Sequence, residues 1–212
     1  MKTEDLIRTM AADLTRPPPL DRTLGAALFV ATALAALVFY GAFGGVRPDF
    51  WAAAGRLDVL LKQGFPFLLA AAAFGACLRM SRPEARLGAW AAALLVGPAV
   101  AAAAFWTTAI ATPLADWPAT IRGRSVTECL TLIPTIAVPI LVGALWALRR
   151  GAGVHPALCG ALAGLLAGSC SAAVYAAYCT DDSPMFWGVW YMLAIALVTA
   201  AGALAGARLL RW

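Results

Sequence analysis

Two carboxylates and a thiol lie close together in a chain that is otherwise strongly apolar. Cys179, Asp181 and Asp182 fall in one stretch between two long apolar runs. A pair of aspartates inside hydrocarbon carries a large free-energy cost, so this stretch is predicted to be an aqueous loop with its thiol at a membrane–water boundary. A second thiol, Cys129, directly follows the acidic Glu128. Thiolates together with carboxylates are a ligand set suited to a soft or borderline cation such as cadmium or zinc.

The composition places the chain among integral membrane proteins. Of its 212 residues, 62% are hydrophobic and 13% are charged, and the mean hydropathy is +0.80, whereas soluble domains carry roughly 25% charged residues. The single histidine, His155, nearly excludes histidine-rich metal enzymes and serine–histidine–aspartate catalysis. None of the five cysteines forms a Cys-x-x-Cys pair, so the zinc-ribbon and thioredoxin-like signatures are absent. The net charge of +5 is better explained by topology than by direct contact with nucleic acid, which is not predicted.

Six apolar runs are predicted to span a bilayer, whose core needs about 20 residues. The second run is short and covers roughly 24 Å at 1.5 Å per residue, so Lys62 is expected to snorkel to the interface at its end. The predicted fold is all-α: a polytopic bundle of six transmembrane helices preceded by a short amphipathic cytoplasmic helix. The predicted spans are Leu24–Val46, Gln63–Leu78, Leu87–Ala111, Cys129–Leu148, Pro156–Tyr178 and Met185–Leu204.

The distribution of basic residues predicts the orientation of the bundle. With six spans both termini lie on one side, and that side holds 11 of the 16 basic residues, against 5 on the other. By the positive-inside rule the termini are therefore cytoplasmic. The larger group is Lys2, Arg8, Arg16, Arg22, Arg79, Arg82, Arg86, Arg149, Arg150, Arg208 and Arg211, and the smaller group is Arg47, Arg56, Lys62, Arg122 and Arg124.

The polar segment over residues 1–23 is predicted to contain a short amphipathic helix. Leu6, Ile7, Met10 and Leu14 recur at three- and four-residue spacing and form an apolar face, here called the N-terminal stripe. A helix of about a dozen residues is marginal alone in water, so packing against another surface must order it. From the residues alone, two interpretations stay open: an anchor that lies on the membrane surface, and a helix that binds a partner.

Two thiols are predicted to come together on the outer side of the membrane. The turn Arg149–His155 between the fourth and fifth spans is short, which makes those spans antiparallel neighbours. Cys129 and Cys179 each lie roughly 30–36 Å of helix from that turn, on an oxidising side where disulfides persist. A structural disulfide, a redox- or metal-reactive pair, and coincidence all stay open. Three aromatic residues near the start of the sixth span, Trp187, Trp190 and Tyr191, are predicted to form an interfacial belt.

Three stretches of the chain match the pattern of a known family of membrane regulators. They are Leu6-Ile7 through Ala12-Asp13-Leu14, then Cys129-Leu130 with Ile133-Pro134, and Tyr175 through Cys179 with Ser183, Phe186 and Trp190-Tyr191. In these stretches, and in its six spans, the chain resembles the NrsF-type membrane anti-sigma factors of proteobacteria over essentially its whole length. One departure is Tyr178, because a histidine often precedes the second cysteine in that family. This departure weakens any model in which a histidine–cysteine pair binds metal.

The resemblance implies a function and a division of the chain into two parts. It implies a regulator of the bacterial inner membrane, not an enzyme, that holds an extracytoplasmic-function sigma factor inactive. Residues 1–23 would bind the sigma factor through the N-terminal stripe. Residues 24–212 would form the six-helix sensor domain in contact with membrane lipid.

The resemblance also implies where the signal is received. Cys129 and Cys179 would respond to heavy-metal or oxidative stress, with Glu128, Asp181 and Asp182 beside them. No resident cofactor is expected, and a heavy-metal cation would bind the two cysteines only transiently.

Two other classes of protein compete with this interpretation. A membrane thiol–disulfide oxidoreductase would need a cysteine pair that exchanges electrons with a quinone, and the lack of Cys-x-x-Cys counts against it. A transporter of small solutes would need polar or charged groups at mid-membrane depth, and the six predicted spans supply none.

Overall fold

The computed structural model describes residues 3–5, 8, 19–82, 86–151 and 153–210. Among these residues there is no strand, and six helices are long and apolar enough to cross a membrane, so the predicted all-α fold is confirmed. We call the end of the bundle that holds Cys129 and Cys179 the outer end, and the opposite end the inner end. The helices are α1 (Leu20–Phe43), α2 (Phe50–Ala53), α3 (Leu57–Met80), α4 (Ala89–Ala111), α5 (Trp117–Arg122), α6 (Val126–Leu148), α7 (Pro156–Ala176) and α8 (Pro184–Leu209), with a short 3-10 helix at Leu114–Asp116.

The six long helices contain 21 to 26 residues each. At 1.5 Å per residue they measure roughly 32–39 Å, enough to cross a hydrocarbon core of about 30 Å. Five of them begin and end within five residues of the predicted bounds. The exception is α3, which was expected to begin at Gln63 but begins at Leu57 and therefore includes Lys62. The expectation that Lys62 snorkels to water is wrong, because its side chain is only 1% exposed and its charge is paired inside the protein.

Helix α7 lies at the centre of the bundle and packs against α3, α6 and α8. Its contact with α8 is a contact between backbones. A Cβ atom on Gly202 would lie 2.4 Å from the carbonyl oxygen of Gly160, and one on Gly164 would lie 2.5 Å from that of Val198. No side chain fits at these positions. Small residues spaced four apart allow two helix backbones to approach this closely.

Helix α1 lies at the edge of the bundle and packs mainly against α6. Ala31 of α1 faces Gly143 of α6, where an added Cβ would lie 3.4 Å from the Ala31 Cβ. Towards the outer end, the Tyr40 hydroxyl donates a hydrogen bond of 2.7 Å to the carbonyl of Val174 in α7. In its most apolar stretch 17% of α1 is buried, against 67% of α7, so α1 is the helix with less packing to hold it in place.

Before Pro19 the structure describes only four positions. Thr3, Glu4, Asp5 and Arg8 are helical and exposed, in agreement with the predicted helix. The residues of the N-terminal stripe, Leu6, Ile7, Met10 and Leu14, lie outside the described residues.

Candidate functional site

Charged side chains from three segments meet at the outer end of the bundle. The loop after α1 contributes Arg47 and Asp49, the segment that begins α3 contributes Arg56 and Lys62, and the loop between α7 and α8 contributes Asp182. We call these five residues the outer charge cluster. Arg47 and Asp182 are 135 positions apart in the sequence and are in direct contact.

Asp182 is the carboxylate at the centre of the outer charge cluster. Its Oδ1 lies 2.6 Å from Nη1 of Arg47 and 3.1 Å from Nζ of Lys62, and its Oδ2 lies 3.5 Å from Nη1 of Arg56. The side chains of Asp182, Arg47 and Lys62 are 8%, 4% and 1% exposed. A buried charge is tolerated only when it is paired and hydrogen-bonded, so these three side chains require one another.

The same two cations hold the backbone that carries the outer thiol. The carbonyl oxygen of Cys179 accepts hydrogen bonds of 2.6 Å from Nζ of Lys62 and 3.3 Å from Nη1 of Arg47. The Arg47 backbone N–H donates to the carbonyl of Ala177 at 3.1 Å. The position of Cys179 is therefore fixed by α3 and by the loop after α1, and not only by its own helix.

The charges in the cluster set the ionisation of its acids. Burial alone would raise the pKa of Asp182, but the hydrogen bond from Arg47 and the charge of Lys62 outweigh it and hold that pKa below its ordinary value. The hydrogen bond from Arg47 likewise lowers the pKa of Asp49 to about 2. Because the pKa of Asp182 is lower in the folded than in the unfolded state, its contribution to stability is present above its ordinary pKa of about 3.9 and is lost as the pH falls through its folded-state pKa.

The loop between α7 and α8 was expected to be aqueous, and for Asp182 that expectation is wrong. The loop folds into the protein because Arg47 and Lys62 compensate the buried carboxylate. Asp181 is also engaged: its Oδ2 accepts the backbone N–H groups of Arg124 at 3.0 Å and Ser125 at 2.9 Å, directly before α6 begins. A carboxylate is favourable at a helix N-terminus, and here it ties the loop to the helix that carries Cys129.

The two predicted sensor thiols lie in one buried group behind this loop. Cys129 and Cys179 are free and are 0% and 2% exposed. Both belong to the same buried core as Tyr175 and Tyr191, whose ring centroids lie 5.7 Å apart. We call these four residues the thiol–tyrosine cluster. Both hydroxyls are buried without a hydrogen-bond partner among the described residues, and an unsatisfied buried polar group costs about 1–3 kcal/mol.

Glu128 lies beside this cluster at the surface. Its exposed side chain and Cys179 both line an outer cavity of about 440 Å³, together with Arg47 and Ser125. The cavity brings the solvent up to Cys179, which is itself only 2% exposed. Within the described part of the chain, no group of three or more histidine, cysteine, aspartate or glutamate side chains is arranged to hold a metal ion.

Two aromatic residues predicted to lie at the membrane interface are instead fully buried. Trp187 stacks on Phe65 with ring centroids 5.0 Å apart, and its indole N–H donates to the Asp182 carbonyl at 3.2 Å. Tyr191 belongs to the thiol–tyrosine cluster. The belt prediction is wrong for both residues because Trp187 packs between α3 and the α7–α8 loop, and Tyr191 packs against Phe65 of α3 and Tyr175 of α7.

Sequence reasoning assigned no role in the site to six of its residues: Arg47, Asp49, Arg56, Lys62, Tyr175 and Tyr191. One signal was available for Lys62. A second span of roughly 24 Å is shorter than a hydrocarbon core of about 30 Å, which favours a helix that begins earlier and includes the lysine. Tyr175 and Tyr191 stand in the stretches that carry the family resemblance, but their residue type alone indicates no role, because apolar helices commonly contain tyrosines as packing residues.

The fold and the site together define a class of protein: a bundle of six membrane-length helices with buried thiols, hydroxyls and paired charges at one end. The chain belongs to the family described as negative regulator of sigma F, whose model matches residues 10–212. It is 34% identical to the probable anti-sigma-F factor NrsF of Azospira oryzae and 32% identical to the anti-sigma-F factor NrsF of Caulobacter vibrioides, in each case over the full length of both chains. No solved structure matches the chain.

The outer charge cluster predicts a specific order of stabilities. Asp182→Asn should lower the free energy of unfolding by about 3–5 kcal/mol, because Lys62 becomes a buried cation without a counter-charge. Arg47 keeps its salt bridge to Asp49. Adding Lys62→Met should recover part of that loss, since it removes the unpaired cation. Thermal unfolding of the purified protein in detergent measures both.

Arg56→Gln is the matched control, because the Arg56 side chain is 54% exposed and its removal should cost no more than about 1 kcal/mol. A double variant less stable than the Asp182→Asn variant alone would contradict this account of the cluster.

Proposed function

We propose that this protein is a membrane-bound anti-sigma factor of the bacterial inner membrane. It sequesters an extracytoplasmic-function sigma factor through its N-terminal segment and releases it when the outer thiols react. Two relatives named as anti-sigma-F factors match the chain from end to end, which supports a negative regulator of a sigma factor. The role is regulatory rather than enzymatic.

The proposal divides the chain into a sigma-binding segment, residues 1–23, and a sensor domain, residues 24–212. Helix α1 begins at Leu20, so the proposed binding segment leads into α1 without an intervening domain. The excess of basic residues at the inner end supports cytoplasmic termini. This orientation gives the N-terminal stripe access to a cytoplasmic sigma factor and leaves the thiol–tyrosine cluster on the periplasmic side.

The observation that supports the sensor proposal is that two free, buried thiols and two buried hydroxyls without a hydrogen-bond partner belong to one core, among the residues that the structure describes. Soft cations such as cadmium prefer thiolate ligands, and binding releases the thiol protons. Two thiolates balance the charge of a divalent cation, so the bound ion adds no net charge to the buried site. The outer cavity lined by Glu128 and Cys179 is the route by which the ion enters.

Oxidative stress acts on the same pair by a second reaction. The thiols of Cys129 and Cys179 lose two electrons and two protons to the oxidant and form one sulfur–sulfur bond. Both reactions tie the start of α6 to the loop between α7 and α8. In this proposal Asp181 and Asp182 position the loop, and the thiols receive the signal.

The contacts of Cys179 give the signal a path to the other end of the bundle. When Cys179 moves towards Cys129, its carbonyl pulls on Arg47 and Lys62. Arg47 lies four residues after the end of α1, and the opposite end of α1 leads to the N-terminal segment. Switching a two-state equilibrium from 1:99 to 99:1 takes about 5.5 kcal/mol. A disulfide supplies typically 2–4 kcal/mol and a metal–thiolate site more, whereas an exposed charge pair supplies about 1 kcal/mol or less.

The partner-binding part of the proposal predicts the effect of charges placed on the N-terminal stripe. Leu6→Asp or Leu14→Asp should weaken capture of the sigma factor at least tenfold, because burying one such side chain contributes about 1.5–3 kcal/mol. A pull-down with purified sigma factor measures the loss. Thr9→Asp adds the same charge off the stripe and should leave capture within about twofold. Full capture by a chain that lacks residues 1–16 would refute this part of the proposal.

The sensor part predicts that the two cysteines act as one unit. Cys129→Ser, Cys179→Ser and the double variant should share one phenotype, since either change removes the same tie, and their effects should be strongly non-additive. A reporter gene driven by the sigma factor, read with and without cadmium, tests this. Cys170→Ser is the control and should keep normal induction. If both single variants keep full induction, the two cysteines are not the sensor.

A further inference from the structure

An apolar groove runs between α1 and α6 in the inner half of the bundle. It has a volume of about 710 Å³ and its walls include Ala26, Val30 and Leu34 of α1 and Val142 of α6. Val30, Leu34 and Val142 are more than half exposed. The groove opens sideways from the helices, at a depth where the surrounding medium of a membrane-spanning bundle is lipid.

Two arginines lie at the inner end of this groove. Arg22, near the start of α1, and Arg150, just after α6, both line it. The Arg150 guanidinium stacks on the Trp146 ring at 4.4 Å from the ring centroid, a contact that orients a cation at a membrane interface. Neither arginine forms a salt bridge with any residue that the structure describes, and no carboxylate lines the groove.

We propose that the groove binds one anionic phospholipid, with its phosphate between Arg22 and Arg150 and an acyl chain along the apolar walls. Basic pockets between transmembrane helices are sites for anionic headgroups. The groove also has a fitting length: Arg22 and Leu34 are separated by about 18 Å of helix, close to the roughly 15 Å of hydrocarbon in one leaflet. Apolar walls alone would accept any lipid, and the two arginines give the preference for a negative charge.

The lipid would bridge the two helices that carry the groove. α1 packs mainly against α6, so an acyl chain in the groove fills the space beside the Ala31–Gly143 contact. The inference goes beyond the function proposed above, because it depends on neither the thiols nor a sigma factor.

The test uses the full-length protein in phosphatidylcholine nanodiscs that also contain phosphatidylglycerol with brominated acyl chains. Bromine quenches tryptophan fluorescence on contact, and the part of the quenching that Trp146→Phe removes reports the groove. A parallel set of discs carries the bromine on phosphatidylcholine instead. Comparing the quenching in the two sets gives the binding constant of phosphatidylglycerol relative to phosphatidylcholine. The wild-type protein should prefer phosphatidylglycerol roughly 30-fold, since each arginine near the surface contributes about a factor of five.

Charge variants separate a headgroup site from general lipid contact. Arg22→Gln/Arg150→Gln should bring the relative constant close to one, while Arg22→Lys/Arg150→Lys should keep most of the preference. Arg208→Gln, the same change at the inner end of α8 and outside the groove, should have no effect. A wild-type constant near one overturns the proposal, and so does an unchanged preference in the glutamine double variant. Neither brominated lipid quenches Trp146 if a second copy of the chain occupies the groove instead. That result, together with dimers seen after chemical cross-linking of the same sample, overturns the proposal.

Discussion

One buried carboxylate holds the outer end of this bundle together. Asp182 is withdrawn from water and must be compensated in place, so it binds Arg47 from the loop after α1 and Lys62 from α3. Leaving any one of these charges unpaired would cost several kcal/mol. Because of this cost, the three segments that carry these charges stay in contact. The position of the loop that contains Cys179 therefore depends on Arg47 and Lys62. The ion pairs of Asp182 thus determine where the Cys179 thiol lies.

The rest of the structure divides into a tightly packed part and a loosely packed part around this cluster. α7 and α8 meet backbone to backbone through Gly160, Gly164 and Gly202, where no added atom fits. α1 has few neighbours and is held towards its outer end by the Tyr40 hydroxyl and by the loop that contains Arg47. α1 also packs along α6, with Leu24 and Leu28 buried towards its inner end, so it connects the charge cluster at the outer end with the polar N-terminal segment.

Much of the fold could be predicted from the sequence, because hydrocarbon imposes a simple rule on apolar runs. Long apolar runs without charged residues were predicted to span the membrane. Five of the six long helices begin and end within five residues of the predicted bounds. The errors share one cause. Lys62, Asp182 and Trp187 were each assigned by local chemistry to water or to the interface, and each is buried. Their partners are more than a hundred positions away or in a neighbouring helix, and no local pattern indicates that such a pairing exists. That Cys129 and Cys179 lie at the same end of the bundle could be predicted, because the rise per residue of a helix and a short turn between α6 and α7 determine the depth of each residue.

The central claim is that the outer thiols and the N-terminal segment are coupled through the bundle. The most direct measurement is the dissociation constant of the sigma factor for the full-length protein in nanodiscs, with and without cadmium. The account predicts that cadmium weakens sigma-factor binding and that the bound sigma factor weakens cadmium binding by the same factor. Both effects should vanish in the Cys129→Ser/Cys179→Ser variant. A dissociation constant that cadmium leaves unchanged in the wild-type protein would contradict the account.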